Sequence, residues 1–547
     1  MLSKIIDCIL FCGKFELPLR GHDETESSSN PGVLLGLIDL LCKSDSALES
    51  HFRTAKAFKG TSRIIQDELL DSILVICKNY IKKEIEESDY LAVMCDETTD
   101  ISNTSQMAIV FRYVVKNKPV ERFWGFFNPP NLTGEALSEI LLKELGTVVS
   151  NEDKLIAQTY DGAAALSGKE KGVQTRIKEV YKNEHYVHCY AHQLNLVIEK
   201  ATSKIKEARV FFNSLSGIPA FFSKSAQRTA AMDKLSDRIP QPSPTRWNFK
   251  SRTVNKVFES RDKLIQCCDV LEKSKSKETG LAAAGIKRML CDQEFIFWLE
   301  FYSKIMPQVE ILFAQFQSRS IEPTTARNFV TNFTSAIKKV KLEYGKRSEQ
   351  NLSGGSKKRR SSTNEMSIAA THMCDIIVEE CTNRFRFTGH LESSKLLLED
   401  HYERYLQEFP SFELSKAVEA YPMLDEIKLK TELTVLYGRE DMCSNKKLAD
   451  LLSFLLKNNL KSAFSETVKL LKILLTTPMT STEAERCFST LKRIKTVLRN
   501  SMLNQRLTAL AMISTANEII SGIHNFNEKV IDHFATSKTR KMEFIFE

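Results

Sequence analysis

The sequence predicts a mixed α/β core interrupted by a long all-helical stretch and framed by helices at both ends. Three observations carry this. After about residue 89, three strand-like runs follow in quick succession, YLAVMCDETTD, SQMAIVFRYVV and ERFWGFF, each with β-branched or aromatic residues. Helical and strand-like patterns then alternate to about residue 200. From there to about residue 440 the chain reads as helix after helix, with no clear strand.

The elements follow in order. The first 88 residues read as helices, as in VLLGLIDLLCKSD and IIQDELLDSILVICKNYIKKEI. After the three strands come a helix (GEALSEILLKELGTVV) and a strand ending at a carboxylate (KLIAQTYDGAA). A helix (GVQTRIKEVY), a short strand (YVHC) and another helix (HCYAHQLNLVIEKAT) complete the series. That succession is the ribonuclease-H-like order, although many folds begin similarly. Inside the helical stretch, GKRSEQNLSGGSKKRRSSTNEMS at 345–367 reads as a flexible basic loop. Its run Lys357–Arg360 has the composition of a nuclear localisation signal or of a solvated loop. From about 446 onward, KKLADLLSFLLKNNL, FSETVKLLKILL and STEAERCFSTLKRIKTVL are amphipathic helices. The expected divisions are a helical segment over 1–88, the first part of the core over 89–200, an all-helical insertion over 201–440, and a region over 441–547 that completes the core.

Composition excludes several classes. With 547 residues, 42% hydrophobic and 27% charged, the chain is a folded multidomain protein and not a disordered one. No apolar run approaches the roughly 20 residues a membrane helix needs, so a membrane partner is not expected. Thirteen cysteines, scattered and odd in number, point to a reducing compartment and not to a disulfide scaffold. No CxxC pair has zinc-finger spacing, so no zinc finger is expected in this chain. The net charge of +8 is mild but uneven, with Arg486, Lys492, Arg493, Lys495 and Arg499 crowded together. It permits a phosphate-bearing partner without requiring one.

Two carboxylates stand out. Asp96 and Asp161 each end an apolar strand, where an acid must be solvated, paired or metal-bound. Such a pair can hold Mg²⁺, and two-metal phosphodiester chemistry would need a third acid. The alternative is that both merely cap the turns that follow them. His185, His188, Cys189 and His192 lie close in sequence, but strand alternation would point them apart, which disfavours zinc.

Several strings in fixed order resemble the hAT (hobo/Activator) transposases and host proteins derived from them, in the subgroup related to MYM-type zinc-finger proteins. CDETTDISN resembles the family's first-aspartate strand and YDGAAALSG its second-aspartate motif. VHCYAHQLNLV holds its CxxH, here Cys189 and His192, and SPTRWNFK its RW pair, Arg246 and Trp247. STEAERCFSTLKRIKTVLRNSM resembles the most specific signature, and RGHDE (Arg20–Glu24) the region before the core. The resemblance implies a catalytic ribonuclease-H-like core with a large helical insertion and a C-terminal dimerisation region. It implies Asp96, Asp161 and Glu485 as the metal-binding triad for Mg²⁺ or Mn²⁺, sharing a common space, with Glu483 as runner-up for the third place. It also sets His192 near the phosphates, and Arg246, Trp247 and Arg486 against DNA.

Two of these residues keep a structural alternative. Thr482 and Glu485 have capping-box spacing, and Trp247 could be a core aromatic as readily as a stacking platform. The partners implied are DNA (transposon ends or genomic sites) and a second copy of the chain, as a homodimer or larger even assembly. No small-molecule substrate is expected, and the location is nuclear. An active transposase and a domesticated, non-catalytic DNA- or chromatin-binding factor both remain open. The face Ala484, Phe488, Leu491, Ile494 and Leu498, with the apolar helices before it, is expected to supply the dimer surface.

Overall fold

Apolar runs such as LAVMC and MAIVF have no polar alternation, so both faces of the strands they form must be covered. The computed structural model covers them in this way. It describes residues 1–25, 27–55, 58–234, 238–240, 247–319, 321–350, 357–386, 389–439 and 447–537, with the backbone alone at 247–249, 348–350 and 357–363. The chain divides into two compact units, Met1–Cys189 with Glu392–Glu547, and Tyr190–Leu391.

The first unit opens with helices α1 (Leu2–Lys14), α2 (Val33–Cys42), α3 (Ser46–Thr54) and α4 (Arg63–Glu87). Strands β1 (Leu91–Thr99), β2 (Ser105–Val115) and β3 (Lys118–Phe127) follow, then α5 (Gly134–Gly146), β4 (Leu155–Tyr160), α6 (Ala164–Ser167), α7 (Val173–Val180) and β5 (His185–His188). The strands form one mixed sheet in the order β3-β2-β1-β4-β5. β1, β2 and β3 pair antiparallel, whereas β4 joins β1, and β5 joins β4, in parallel. The strand positions match the runs read from sequence.

The second unit holds α8 (Tyr190–Lys204), α9 (Lys206–Ser223), α10 (Ala226–Asp233), α11 (Trp247–Glu272), α12 (Lys277–Leu290), α13 (Gln293–Phe316), α14 (Pro323–Gln350) and α15 (Lys357–Arg384). Its described residues contain no strand. Aromatic side chains hold it together: Tyr302 stacks on Phe211 with ring centroids 5.4 Å apart, and Phe301 meets Tyr344 edge-on at 5.2 Å. The loop expected over 345–367 is corrected, because α14 runs to Gln350 and α15 starts at Lys357. Only 351–356 remain between them, outside the described residues.

Back in the first unit come α16 (Tyr402–Gln407), α17 (Ser411–Ala420), α18 (Glu426–Tyr437), α19 (Leu448–Lys457), α20 (Ser465–Thr476), α21 (Thr482–Ile494), α22 (Asn504–Thr515), α23 (Asn517–Gly522) and α24 (Phe526–Thr536). The expected boundaries at 201 and 440 therefore differ from the observed division at 190 and 391. The reason is packing: Tyr402, Leu414, Leu433 and Tyr437 share one buried cluster with Leu451, Leu471 and Ile156 of β4.

Two helical layers sandwich the sheet. Arg112, fully buried, donates from Nε to the Leu475 carbonyl at 3.0 Å, so the face carrying Met94 and Val110 lies beneath the end of α20. Tyr113, one residue on and therefore on the opposite face, donates to Glu84 of α4 at 2.8 Å. The Nε1–H of Trp124 donates to Glu144 of α5 at 2.7 Å, while Lys78 of α4 sits 4.2 Å above its ring. The C-terminal helices complete this core: Phe488, Leu491, Leu510 and Phe534 join Ile5, Leu70 and Phe111 in one cluster.

Candidate functional site

The site is set by strand register. β1 and β4 run parallel, with Ala92 opposite Ala157 and Met94 opposite Thr159. The pairing ends there, one residue before the end of β4; continued by two residues, the same register would set Asp161, just past β4, beside Asp96, and both charges do act on Cys95 between them. Alternation gives both aspartates the face of Met94 and Thr159. Cys95 sits within their joint field. Burial first, then the charges of Asp96, Asp161 and Glu97, push its thiol well above the usual range. Each aspartate also accepts a main-chain hydrogen bond, Asp96 Oδ1 from the Glu97 N–H and Asp161 Oδ1 from the Ala163 N–H, both at 2.9 Å. The turn-capping role is therefore present for Asp161, whereas Asp96 lies inside β1 and bonds the N–H of the next strand residue. The Tyr186 hydroxyl donates to the Asp161 carbonyl at 3.0 Å.

Glu485 arrives on α21, which packs on β1, β2 and β3. Thr159 Oγ1 donates to the Pro478 carbonyl at 2.8 Å. The Ser481 N–H donates to Cys189 Sγ at 3.3 Å, and the Cys189 N–H to the Tyr160 carbonyl at 2.9 Å. These bonds moor the start of α21 to the C-terminal ends of β4 and β5. Phe488 then stacks on Phe126 of β3, with 18° between the ring planes. The expected capping box is not formed. Ser481 is the N-cap, no side chain caps the helix, and Thr482 is its first residue. Glu485 is half-buried one turn in.

Glu483 and Arg486 point to a different task. Arg486 Nη1 donates to Glu483 at 2.8 Å, and both act on Glu121, which is paired with Arg112 at 2.7 Å. Burial pushes the Glu121 carboxyl up, Arg112 pulls it down, and Glu483 opposes that pull. These four residues form a network behind the strand-end acids.

Among the described residues, no group of three or more His, Cys, Asp or Glu side chains comes together at metal-binding spacing. Asp96 and Asp161 are neighbours, and Glu485 stands on a helix over the same face, but the three are not closed into one ligand set. In donor chemistry the residues fit Mg²⁺ or Mn²⁺, which favour oxygen. Glu97, on the opposite face of β1 by the same alternation, adds to the negative charge near Asp161. Its Oε2 is buried without a hydrogen-bond partner, and burial together with the Asp161 charge pushes its carboxyl up. A divalent cation would relieve this crowding of negative charge. The sequence reading passed over Glu97, although a second acid directly after Asp96 was the available signal.

The remaining candidates are dispersed. His192 stands half-buried in the first turn of α8, in the second unit. Arg246 lies outside the described residues, and Trp247 begins α11 with its side chain outside them, as are those of Lys357–Arg360. His185 is engaged structurally, with Nε2 2.8 Å from the Ala420 carbonyl and its ring edge-on to Tyr421. Burial pushes its pKa down. On α21, Ala484, Phe488, Leu491 and Ile494 are buried in the chain's own core. Leu498, expected on the same face, is 96% exposed because the helix ends at Ile494. Leu451, Leu452 and Leu455 are likewise consumed internally, so apart from the lone Leu498 these residues provide no free apolar face.

Comparison with known proteins agrees with the order of these parts. Residues 1–172 match a family model described as the ZMYM1/FAM200 RNase-like domain, and residues 432–519 match the hAT family C-terminal dimerisation region. Two curated relatives share the name 52 kDa repressor of the inhibitor of the protein kinase. The human protein is 23% identical over 316 residues, covering 53% of this chain and 40% of its own. The mouse protein is 24% identical over 258 residues, covering 45% and 33%. The matched region thus spans less than half the length of either relative. No helix among the described residues is long and apolar enough to cross a membrane.

Proposed function

From its kinship with the hAT transposases and the host proteins derived from them, we propose that this chain is a dimerising, DNA-binding protein with a metal-dependent phosphodiester site. Asp96 and Asp161 form the centre of that site and Glu485 is its third acid. The observation that carries the reading is the parallel register of β1 and β4, which supports two neighbouring carboxylates at strand ends beside a buried, unpartnered Glu97 oxygen. Bound Mg²⁺ or Mn²⁺ would polarise the scissile phosphate and lower the pKa of the attacking water. The chain's own residues would do the rest. The aspartates fix the position of the ions, and the mooring of α21 through Pro478, Ser481 and Cys189 presents Glu485 to the same face. His192, Arg246, Trp247 and Arg486 are proposed to meet the DNA. The helical unit is proposed as an insertion in the core, residues 432–519 as the self-association region, and the nucleus as its location.

A second reading has a specific observation behind it. The three acids are not drawn into one ligand set, and both aspartates already bond to main chain, as in a domesticated factor that keeps the fold for DNA or chromatin binding. Nicking and strand-transfer assays on duplex DNA with Mg²⁺ or Mn²⁺ separate the two. Metal-dependent cleavage that Asp96→Asn abolishes supports the first. DNA binding with no cleavage by the wild-type chain supports the second.

A further inference from the structure

The motif Arg20–Glu24 has no part in the site above, yet its Arg20 and Gly21 line a charged concavity elsewhere in the first unit. A cavity of about 580 Å³ opens in the first unit between the α1–α2 connection, the start of α4 and the turn that leads into α22. Four arginines line it, Arg20, Arg63, Arg499 and Arg506, against two acids, Asp67 and Asp71. Four positive charges and two negative leave an excess of +2.

The arginines are fixed before any ligand arrives. Arg20 pairs with Asp67 at 2.8 Å and donates to the Arg63 carbonyl at 2.8 Å. Arg506 also pairs with Asp67, and Arg499 donates to the Glu16 carbonyl at 3.1 Å. Arg63 pairs with Glu24, just outside the lining, at 3.0 Å. The wall itself is rigid. Gly32 has φ +104°, and a Cβ there would meet the Gly21 nitrogen at 2.2 Å. The close pass of these two backbones is bonded from the Gly21 N–H to the Pro31 carbonyl at 3.2 Å.

The charges in this cavity are crowded. Burial, then the repulsion of Arg20, lowers the pKa of Arg506, and burial also lowers that of Arg499. The 12-residue helix α22 begins at the same place without a side-chain cap, and its N-cap Leu503, with Gln505 and Arg506 of its first turn, lines the cavity. Its unbonded N–H groups add positive potential. Guanidinium forks match phosphate oxygens in geometry, and the volume lies within the range of small-ligand sites, roughly 300–1,000 Å³.

We propose that this cavity binds a phosphate group, either free, on a nucleotide, or at the end of a DNA strand. Arg499 and Arg506 are its main ligands, and Asp67 is the brace that orients Arg20 and Arg506. The proposal is independent of the strand-end acids.

Titration of the full chain with pyrophosphate, followed by calorimetry and by the shift in melting temperature, tests it. Arg499→Gln and Arg506→Gln should each weaken binding by at least about tenfold. Asp71→Asn, which removes a competing negative charge, should tighten it, and Lys83→Gln on an exposed face of α4 should leave it unchanged. Circular dichroism confirms folding, and Arg499→Gln carries the test if Arg506→Gln unfolds. A 5′-phosphorylated oligonucleotide that binds more tightly than its 5′-hydroxyl twin identifies the DNA end as the source. Equal binding of the twins, with pyrophosphate still bound, identifies a free phosphate or nucleotide. The idea is overturned if folded wild-type chain does not bind pyrophosphate, if the two arginine variants bind it as well as wild type, or if an acidic peptide binds better than any phosphate.

Discussion

Two acids four residues apart on one stretch of chain have opposite surroundings. Asp100, just past β1, is fully buried and paired at 2.6 Å with Lys495, whose side chain is only 5% exposed. Ser102 and Gln106 side chains and the Ser102 and Thr104 N–H groups complete its shell. Asp96, three residues before the end of the same strand, lies among acids instead, with Asp161 and Glu97 close enough to add to the field on Cys95. Where the C-terminal region must be locked to the β1–β2 turn, the fold neutralises its acid. At the strand ends it gathers acids together. Stability alone does not favour the second arrangement, since like charges brought together raise one another's pKa.

The comparison is broken most severely by removing the cation. Lys495→Met leaves Asp100 buried beside no counter-charge and should cost about 3–5 kcal/mol. Denaturant unfolding of the full chain should show the loss. A change below about 1 kcal/mol would mean that the hydrogen bonds from Ser102, Thr104 and Gln106 suffice for Asp100 without Lys495.

Titration sharpens the same contrast. Burial acts to raise the Asp100 pKa, but the hydrogen bonds from Lys495, Ser102, Gln106 and Thr104 outweigh it and hold the carboxyl well below the usual range. A depressed carboxyl contributes stability that is fully present above its unfolded pKa, about 3.9, and is lost as pH falls toward the folded value. Asp100→Asn should therefore lower stability at neutral pH by about 2–3 kcal/mol and flatten the acid arm below about pH 4. Melting curves from pH 2 to 7 test this, and parallel acid arms in variant and wild type would count against it.

Glu184 offers the reverse sign. It is fully buried beside Gln158, and burial raises its carboxyl from 4.5 to about 7, against the pull of Lys178 and Gln158. Across that window the folded state keeps a proton that the unfolded state has released, so stability falls as pH rises. Glu184→Gln should gain about 1–3 kcal/mol at pH 8 and almost nothing at pH 4. A gain that is equal at both pH values would show that the ionised carboxyl is not the cause.

The sequence made the sheet legible because its strands are continuous apolar runs bounded by turns, and because the acids close two of them. The partnership of Asp100 and Lys495 was not legible. Those residues are 395 positions apart, and Lys495 looked like one more cation in a basic cluster. Tertiary packing also decided where α21 stops, which turned Leu498 from an expected interface residue into an exposed one. Glu485 was singled out by its motif, whereas the mooring of its helix through Cys189 and Pro478 needed the fold. The internal use of Leu451, Leu452 and Leu455 was equally invisible, since an amphipathic helix gives no sign of whether its partner is its own chain or another.

The smallest expected effect on stability is the most informative for function. Asp96→Asn and Asp161→Asn keep the oxygen that accepts the Glu97 and Ala163 N–H bonds, so the local backbone should survive. Each also removes one negative charge from a place where Asp161 already raises the Glu97 pKa. The melting temperature should stay the same or rise, with a stability change within about 1 kcal/mol. Metal-dependent cleavage, if the phosphodiester reading is right, should disappear in both variants while DNA binding persists. Such a pattern, activity lost and stability kept, is the mirror image of the Lys495→Met result. If either aspartate variant instead loses several kcal/mol, these acids are structural in the way Asp100 is, and the contrast between Asp96 and Asp100 falls with them.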